Sequence, residues 1–131
     1  VAAKKAVDDN FSQYPPVAGY PQLREAVSEK LRRDNDLHYD ANQIVVSTGA
    51  KQAIANVFLA ILNPGDEVVV PAPYWVSYTE LIKLAEGVPV YVETTIEKEF
   101  KASPEQIEAA ITPKTKAFIF SSPNNPSGTV Y

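Results

Sequence analysis

Short β-branched runs alternate with segments that carry apolar residues at helical spacing, and this alternation constrains the fold of the 131-residue chain most. Each run is almost wholly apolar, as in a parallel strand that is buried on both faces. The segments between runs are long enough to hold crossover helices. We therefore predict an α/β fold with three α/β/α layers and a mostly parallel sheet. The predicted strands cover residues 42–47, 68–70, 88–92 and 116–121.

Helix signals fill the intervening segments. Pro21 suits the first position of a helix, and Ser103, Pro104 and Gln106 together resemble an N-terminal capping box. Pro89 lacks a backbone donor, so its strand is expected to begin late or to lie where a donor can be spared. The predicted helices cover residues 1–10, 21–35, 50–62, 74–85 and a segment that begins at Ser103.

Composition excludes several classes of protein. Twelve Lys and Arg against sixteen Asp and Glu give a formal net charge of -4, which disfavours nucleic acid as a partner. Without cysteine, the chain has no disulfides, thiolate metal sites or cysteine nucleophile. No apolar run approaches the roughly 18 residues of a membrane span, and the amino end does not resemble a signal peptide. We predict a cytoplasmic protein that binds neither membranes nor a metal.

A first candidate site follows the strand predicted at residues 42–47. Ser47, Thr48, Gly49, Ala50 and Lys51 leave that strand and open a helix, where backbone amides and the helix dipole favour an anion. An ordinary turn, with Thr48 as helix cap and a solvated Lys51, explains the segment equally well. The spacing matches neither of the common glycine-rich nucleotide motifs.

Two more strand ends carry distinctive residues. Trp75 follows the strand at residues 68–70, where its ring could stack on a flat ligand, although a lone tryptophan is more often a core residue. Asn125 lies in a loop rich in Pro, Asn and Ser after the last strand, and its amide could donate to a ligand oxygen. A tight surface turn would use the same residue types.

Together, an anion cradle, an aromatic face and an amide suit a phosphorylated heteroaromatic cofactor. The chain also contains, in order, the motifs QYPPVAGYP (13–21), LREA (23–26), PGDEV (64–68), PYWVSY (73–78) and PNNPSG (123–128). With these motifs it resembles the fold-type I pyridoxal-phosphate (PLP) aminotransferases, most closely the bacterial aspartate aminotransferases, over nearly its whole length.

The resemblance implies a role for each candidate residue. Gly49, Ala50 and Lys51 would hold the phosphate of pyridoxal 5'-phosphate. Trp75 would stack on the pyridine ring, and Asn125 would bond its phenolic oxygen, with both residues close to the bound substrate. Tyr14 would reach the phosphate of a neighbouring subunit in a homodimer, although it could also simply anchor its loop. The resemblance further implies cis bonds before Pro73 and Pro126.

The family also uses residues that normally follow the Asn-Pro turn: the Schiff-base lysine, an aspartate on the pyridine nitrogen, and arginines that bind substrate carboxylates. Lys51 is a poor substitute for that lysine, because the resemblance puts it beside the phosphate, and His38 is assigned no role. We therefore expect residues 1–20 to be the end of an N-terminal helix with an interface loop, and residues 21–131 to be a truncated PLP-binding large domain.

The implied activity is transfer of an amino group from an amino acid, most simply aspartate, to a 2-oxo acid such as 2-oxoglutarate. The 131 residues alone are not expected to turn over. Another fold-type I enzyme, such as a carbon–sulfur lyase or a decarboxylase, would keep the same cofactor contacts. A non-catalytic phosphate-binding α/β module is the third possibility, because a fold by itself does not determine function.

Overall fold

The computed structural model describes residues 1–131, which divide into two compact units, Val1–Thr48 and Gly49–Tyr131. The first unit contains α1 (Ala2–Asp8), α2 (Pro21–Asn35) and a 3-10 turn at Ala41–Gln43. The second contains α3 (Gly49–Ile61), β1 (Glu67–Ala72), α4 (Ser77–Leu84), β2 (Val88–Glu93), a 3-10 turn at Ile96–Lys98, α5 (Pro104–Ala110) and β3 (Thr115–Phe118).

In the first unit, α2 has the predicted bounds. Pro21 occupies its first turn, and Asp36 ends it in the left-handed conformation with φ 53°. The Arg24 side chain then ties the helix to the segment that follows, because its Nε donates to the carbonyl oxygen of Ile44 at 2.8 Å. The start signal at Pro21 and the helical spacing of the apolar residues thus sufficed to place this helix.

The strand predicted at residues 42–47 is wrong. Its first part is the 3-10 turn, capped by Asp40, and the following residues pair with no strand. Ile44 has extended dihedrals, but the Val46 amide donates to the carbonyl of Ala18, in a loop, at 3.0 Å. β-branched residues favour an extended backbone, whereas a strand also needs a neighbouring strand to satisfy its amides.

In the second unit, three parallel strands form a sheet in the order β2-β1-β3. Val68, Val69 and Val70 of the central strand are fully buried. Val68 and Val70 belong to a core with Phe58 and Ile82 of the helices α3 and α4. Val69 faces the other way, into a cluster that also contains Ala102 and residues of α5. The sheet is therefore covered on both faces, which confirms the three-layer α/β/α prediction.

Several predicted bounds change by a few residues. β3 ends at Phe118, and α4 begins at Ser77, so Tyr74 and Trp75 precede the helix. Pro89 does not delay its strand, but β2 lies at an edge of the sheet, where a missing donor is tolerated. The capping box of Ser103 and Gln106 is confirmed, with Pro104 in the first turn.

No helix in the structure combines the length and the apolar character that crossing a bilayer requires. The structure likewise contains no group of three or more His, Asp or Glu side chains arranged to hold a metal ion.

Candidate functional site

The amino end of α3 is open to solvent. Gly49, Ala50 and Lys51 are all exposed, and a Cβ built on Gly49 would meet no atom within 4 Å apart from its chain neighbours and the backbone of its own helix. The first amides of a helix have no partner within the helix, and the helix dipole adds positive potential there. This end of α3 therefore has both the space and the electrostatics to receive an anion.

Trp75 lies directly beside this helix end. Its indole ring is half-buried, and it packs edge-on against Tyr78 with the centroids 5.5 Å apart and an interplanar angle of 85°. The Lys51 ammonium lies 5.2 Å from the Trp75 ring centroid, which is within cation–π range. Trp75 is thus at the margin of the core rather than inside it, and Lys51 contacts an aromatic ring rather than only water.

A pair of stacked phenols adjoins Trp75. Tyr74 and Tyr91 have ring centroids 5.6 Å apart and an interplanar angle of 16°. The hydrogen bond that the Tyr91 hydroxyl donates to Tyr74, reinforced by desolvation, holds the neutral phenol and raises the pKa of Tyr91 above its ordinary value. Thr94 donates its hydroxyl to the carbonyl of Ala72, which ties the end of β1 to the segment after β2. This turn is therefore braced by neutral contacts.

The two adjacent asparagines in the loop after β3 make different contacts. The Asn124 Nδ2 donates to the carbonyl of Pro73 at 2.9 Å and to the hydroxyl of Ser127 at 2.8 Å. Asn125 is exposed and its side chain makes no hydrogen bond, while its backbone amide donates to the Ser121 hydroxyl at 3.2 Å. One amide therefore builds the loop, and the other is free to meet a ligand.

These contacts bring the predicted residues of the second unit together. Lys51 contacts Trp75, and the loop of Asn125 is bonded, through Asn124, to Pro73 of the turn that carries Trp75. The peptide bonds before Pro73 and Pro126 are cis as predicted, and a third cis bond, before Pro123, was not predicted.

Tyr14 belongs to the first unit. Its side chain is fully exposed, and with its chain neighbours it lines an open hollow of about 570 Å³ formed by Ser12, Gln13, Tyr14 and Pro15. Within that unit, the Tyr14 side chain lacks the burial expected of a residue that anchors its loop.

Sequence reasoning missed Asn124, Ser121 and Ser127 as builders of the site. The only sequence signal was the Asn-Asn pair itself, which does not show which of the two amides bonds within the loop. Which of the two turns inward depends on the carbonyl of Pro73, which is distant in sequence.

Comparison with known proteins identifies the family of the chain. The family model described as "Aminotransferase class I and II" matches residues 1–131. The chain is 53% identical to a "Probable aspartate/prephenate aminotransferase" of Rickettsia bellii over 99% of its own length and 33% of the relative. It is 51% identical to an "Aspartate aminotransferase" of Bacillus sp., again over 99% of its own length and 33% of the relative.

A solved structure gives the same result in three dimensions. The aspartate aminotransferase from Thermus thermophilus with maleate superposes with a TM-score of 0.95 and 52% identity, over 99% of this chain and 34% of that one. The chain thus spans about a third of the length of the relatives it matches. Because the family model covers every one of its residues, the chain belongs to the class I and II aminotransferases.

Proposed function

We propose that this chain is part of a PLP-dependent aminotransferase that moves an amino group from aspartate to a 2-oxo acid such as 2-oxoglutarate. The observation that carries the proposal is the meeting of three chain segments at one place: the exposed start of α3, the Trp75 ring beside Lys51, and the loop that bears the unbonded Asn125 amide. In this proposal residues 1–20 form an interface segment and residues 21–131 belong to the cofactor domain.

The residues present fit pyridoxal phosphate by their chemistry. Gly49 and Ala50 offer backbone amides, and Lys51 offers a cation, to a phosphate group. Trp75 offers an aromatic face to the pyridine ring. Asn125 offers a donor to the phenolic oxygen or to a substrate carboxylate. The open space around Gly49 allows a ligand to approach the backbone closely.

Pyridoxal phosphate, when bound, supplies an electron-accepting ring that stabilises a carbanion at the substrate α-carbon. The residues of this chain contribute binding and orientation. Lys51 and the start of α3 fix the phosphate end, while Trp75 limits movement perpendicular to the ring. Asn125 withdraws charge from the phenolic oxygen by donating a hydrogen bond, which favours its anionic form.

We further propose that the intact enzyme is a homodimer in which Tyr14 reaches the phosphate held by the partner subunit. The support is its exposure: the Tyr14 side chain extends fully into solvent from a loop that contains two prolines. A hydroxyl that only anchored its own loop would be buried with a bonded partner.

We also propose that the protein is located in the cytoplasm, because the substrates of the proposed reaction are small and highly polar. Cell fractionation would test this location.

The dicarboxylate preference has specific support. The Thermus relative has been solved with maleate, a four-carbon dicarboxylate, and several relatives are named for aspartate and prephenate together. We therefore propose aspartate as amino donor, with prephenate as a second acceptor beside 2-oxoglutarate.

The decisive experiment uses the purified protein that carries this chain, loaded with pyridoxal phosphate. Aspartate and 2-oxoglutarate should give oxaloacetate and glutamate in equal amounts, with neither ammonia nor carbon dioxide released by the enzyme. Asn125→Ala should lower kcat/KM about ten- to a hundredfold, the usual effect of losing a hydrogen bond to a charged group. The matched variant Asn42→Ala, at an exposed asparagine of the first unit, should leave it unchanged.

Other products would identify the alternatives. Ammonia with a 2-oxo acid from a sulfur-containing amino acid would indicate a carbon–sulfur lyase, and carbon dioxide would indicate a decarboxylase. If the protein binds inorganic phosphate but shows no absorption band of bound pyridoxal phosphate, the non-catalytic module is indicated. Each of these results would overturn the proposed transfer reaction.

A further inference from the structure

Asn124 has no role in the proposed function, yet both polar atoms of its side chain make hydrogen bonds. Its Nδ2 donates to the carbonyl of Pro73 at 2.9 Å and to the Ser127 hydroxyl at 2.8 Å. Its Oδ1 accepts from the Ser121 hydroxyl at 3.4 Å. Only a primary amide supplies two donors and one acceptor from one short side chain.

The second part of this network leads to Asn125. The Ser121 hydroxyl that donates to Asn124 also accepts from the Asn125 backbone amide at 3.2 Å. A continuous chain of hydrogen bonds therefore runs from the Pro73 carbonyl through Asn124 and Ser121 to the Asn125 backbone. Pro73 stands two residues before Trp75, so this path joins the backbone of the stacking residue to the backbone of the amide donor.

The backbone of the loop closes around the same residue. The backbone N–H of Asn124 donates to the backbone carbonyl of Thr129 at 2.7 Å, and the backbone N–H of Gly128 donates to the backbone carbonyl of Asn124 at 2.8 Å. Asn124 is half-buried, whereas Asn125 is exposed. The loop is thus fixed at Asn124, and Asn125 projects from that fixed point.

We propose that Asn124 is a positioning residue that sets the distance between the Trp75 ring and the Asn125 amide. This inference rests on the proposed function, because it assigns Asn125 to the phenolic oxygen of pyridoxal phosphate. Asn124 touches neither cofactor nor substrate in this proposal. It acts through Asn125, and that indirect action makes it testable.

The test follows the visible absorption of the bound cofactor as the pH is raised, in the loaded protein that carries this chain. A donor to the phenolic oxygen makes that oxygen less basic and lowers the pH midpoint of the spectral change. Asn125→Ala should therefore raise the midpoint, by about 0.4–1 pH unit for one net hydrogen bond. Asn124→Ala also leaves the net charge unchanged, and it should raise the pH midpoint by a similar amount.

A double variant separates positioning from general disruption. If Asn124 acts only through Asn125, then Asn124→Ala should add no further shift in an Asn125→Ala background. Asn42→Ala is the control and should leave the midpoint unchanged. An unshifted or lowered midpoint in Asn124→Ala, or a full additional shift in the double variant, would overturn the proposal.

Ser121→Ala covers the case in which Asn124→Ala does not fold or does not load. It leaves the Asn124 contact to Pro73 intact and removes only the step from Asn124 to the Asn125 backbone. A raised midpoint in Ser121→Ala, absent in the Asn125→Ala background, supports the proposal, and an unchanged midpoint overturns it. If the unaltered protein takes up no pyridoxal phosphate at all, the proposed function itself fails, which is a different observation.

Discussion

The Lys51 ammonium lies 5.2 Å from the centroid of the Trp75 ring, so the start of α3 and the end of β1 present a cation and an aromatic face at one location. A phosphate bound at the helix start would gain a charge-assisted contact from this ammonium. Lys51→Met keeps most of the unbranched stem of the side chain and removes its charge. We expect it to weaken the affinity for pyridoxal phosphate about tenfold.

An absorption titration with pyridoxal phosphate measures this effect in the protein that carries the chain. Lys114→Met is the matched control, since it removes the charge of another exposed lysine in the same unit. Equal affinities in the two variants would show that Lys51 does not contribute to phosphate binding.

The core below the site gives a second prediction. Ile82 of α4 is fully buried against the central strand, whereas Leu84 of the same helix is 64% exposed. Ile82→Ala removes packed atoms and leaves a cavity, so it should lower the free energy of unfolding by about 2–5 kcal/mol. Leu84→Ala should change it by less than about 0.5 kcal/mol. Denaturant titrations compare the two, and a similar loss in both would mean that α4 is packed differently.

Local signals predicted the fold well. Pro21 marks the start of α2, and Ser103 with Gln106 marks the start of α5, because each signal acts within one helical turn. The buried strand at Val68 to Val70 was equally clear, since a run of three β-branched residues next to turn formers suits a central parallel strand. These features depend on residues that are close together in the chain.

Features that depend on distant partners were not predictable. Val46 looked like a strand residue, but the backbone near it is loop, and only the structure shows that its amide bonds Ala18. The inward turn of Asn124 likewise depends on the Pro73 carbonyl. The resemblance to a family predicted Asn125 as a ligand residue, but it could not predict the contact between Asn124 and the Pro73 carbonyl.

The turn between α3 and β1 gives a pH-dependent prediction. The Asp66 carboxylate accepts from the Asn63 backbone amide at 2.9 Å and from the Asn63 side-chain amide at 3.2 Å. These bonds, the backbone one first, with the nearby charge of Lys116, lower the pKa of Asp66 below its ordinary value of 3.8. A lowered folded-state pKa means that the contribution to stability is complete above 3.8 and is lost as the pH falls through the folded value.

Asp66→Ala should therefore destabilise the protein near neutral pH, and the difference from the unaltered protein should shrink at pH values below 3.8. Unfolding titrations across this range measure the difference. Asp8→Ala, at an exposed carboxylate for which the structure has no hydrogen bond, should show no such change. A difference for Asp66→Ala that stays constant with pH would contradict the role given to the carboxylate.

The start of α5 gives the last prediction. The Ser103 hydroxyl accepts from the Gln106 backbone amide at 3.3 Å, while the Gln106 side chain accepts from the Ser103 amide at 3.0 Å and donates to the Glu93 carbonyl at 3.1 Å. Ser103→Ala removes the cap and should cost about 1 kcal/mol, whereas Ser103→Asp keeps an acceptor and should retain most of the stability. Hydrogen exchange of the Gln106 and Ile107 amides measures both variants. Faster exchange in Ser103→Ala alone is expected, because only that variant leaves the Gln106 amide without its side-chain acceptor; equally fast exchange in both would mean that the hydroxyl acts by another contact.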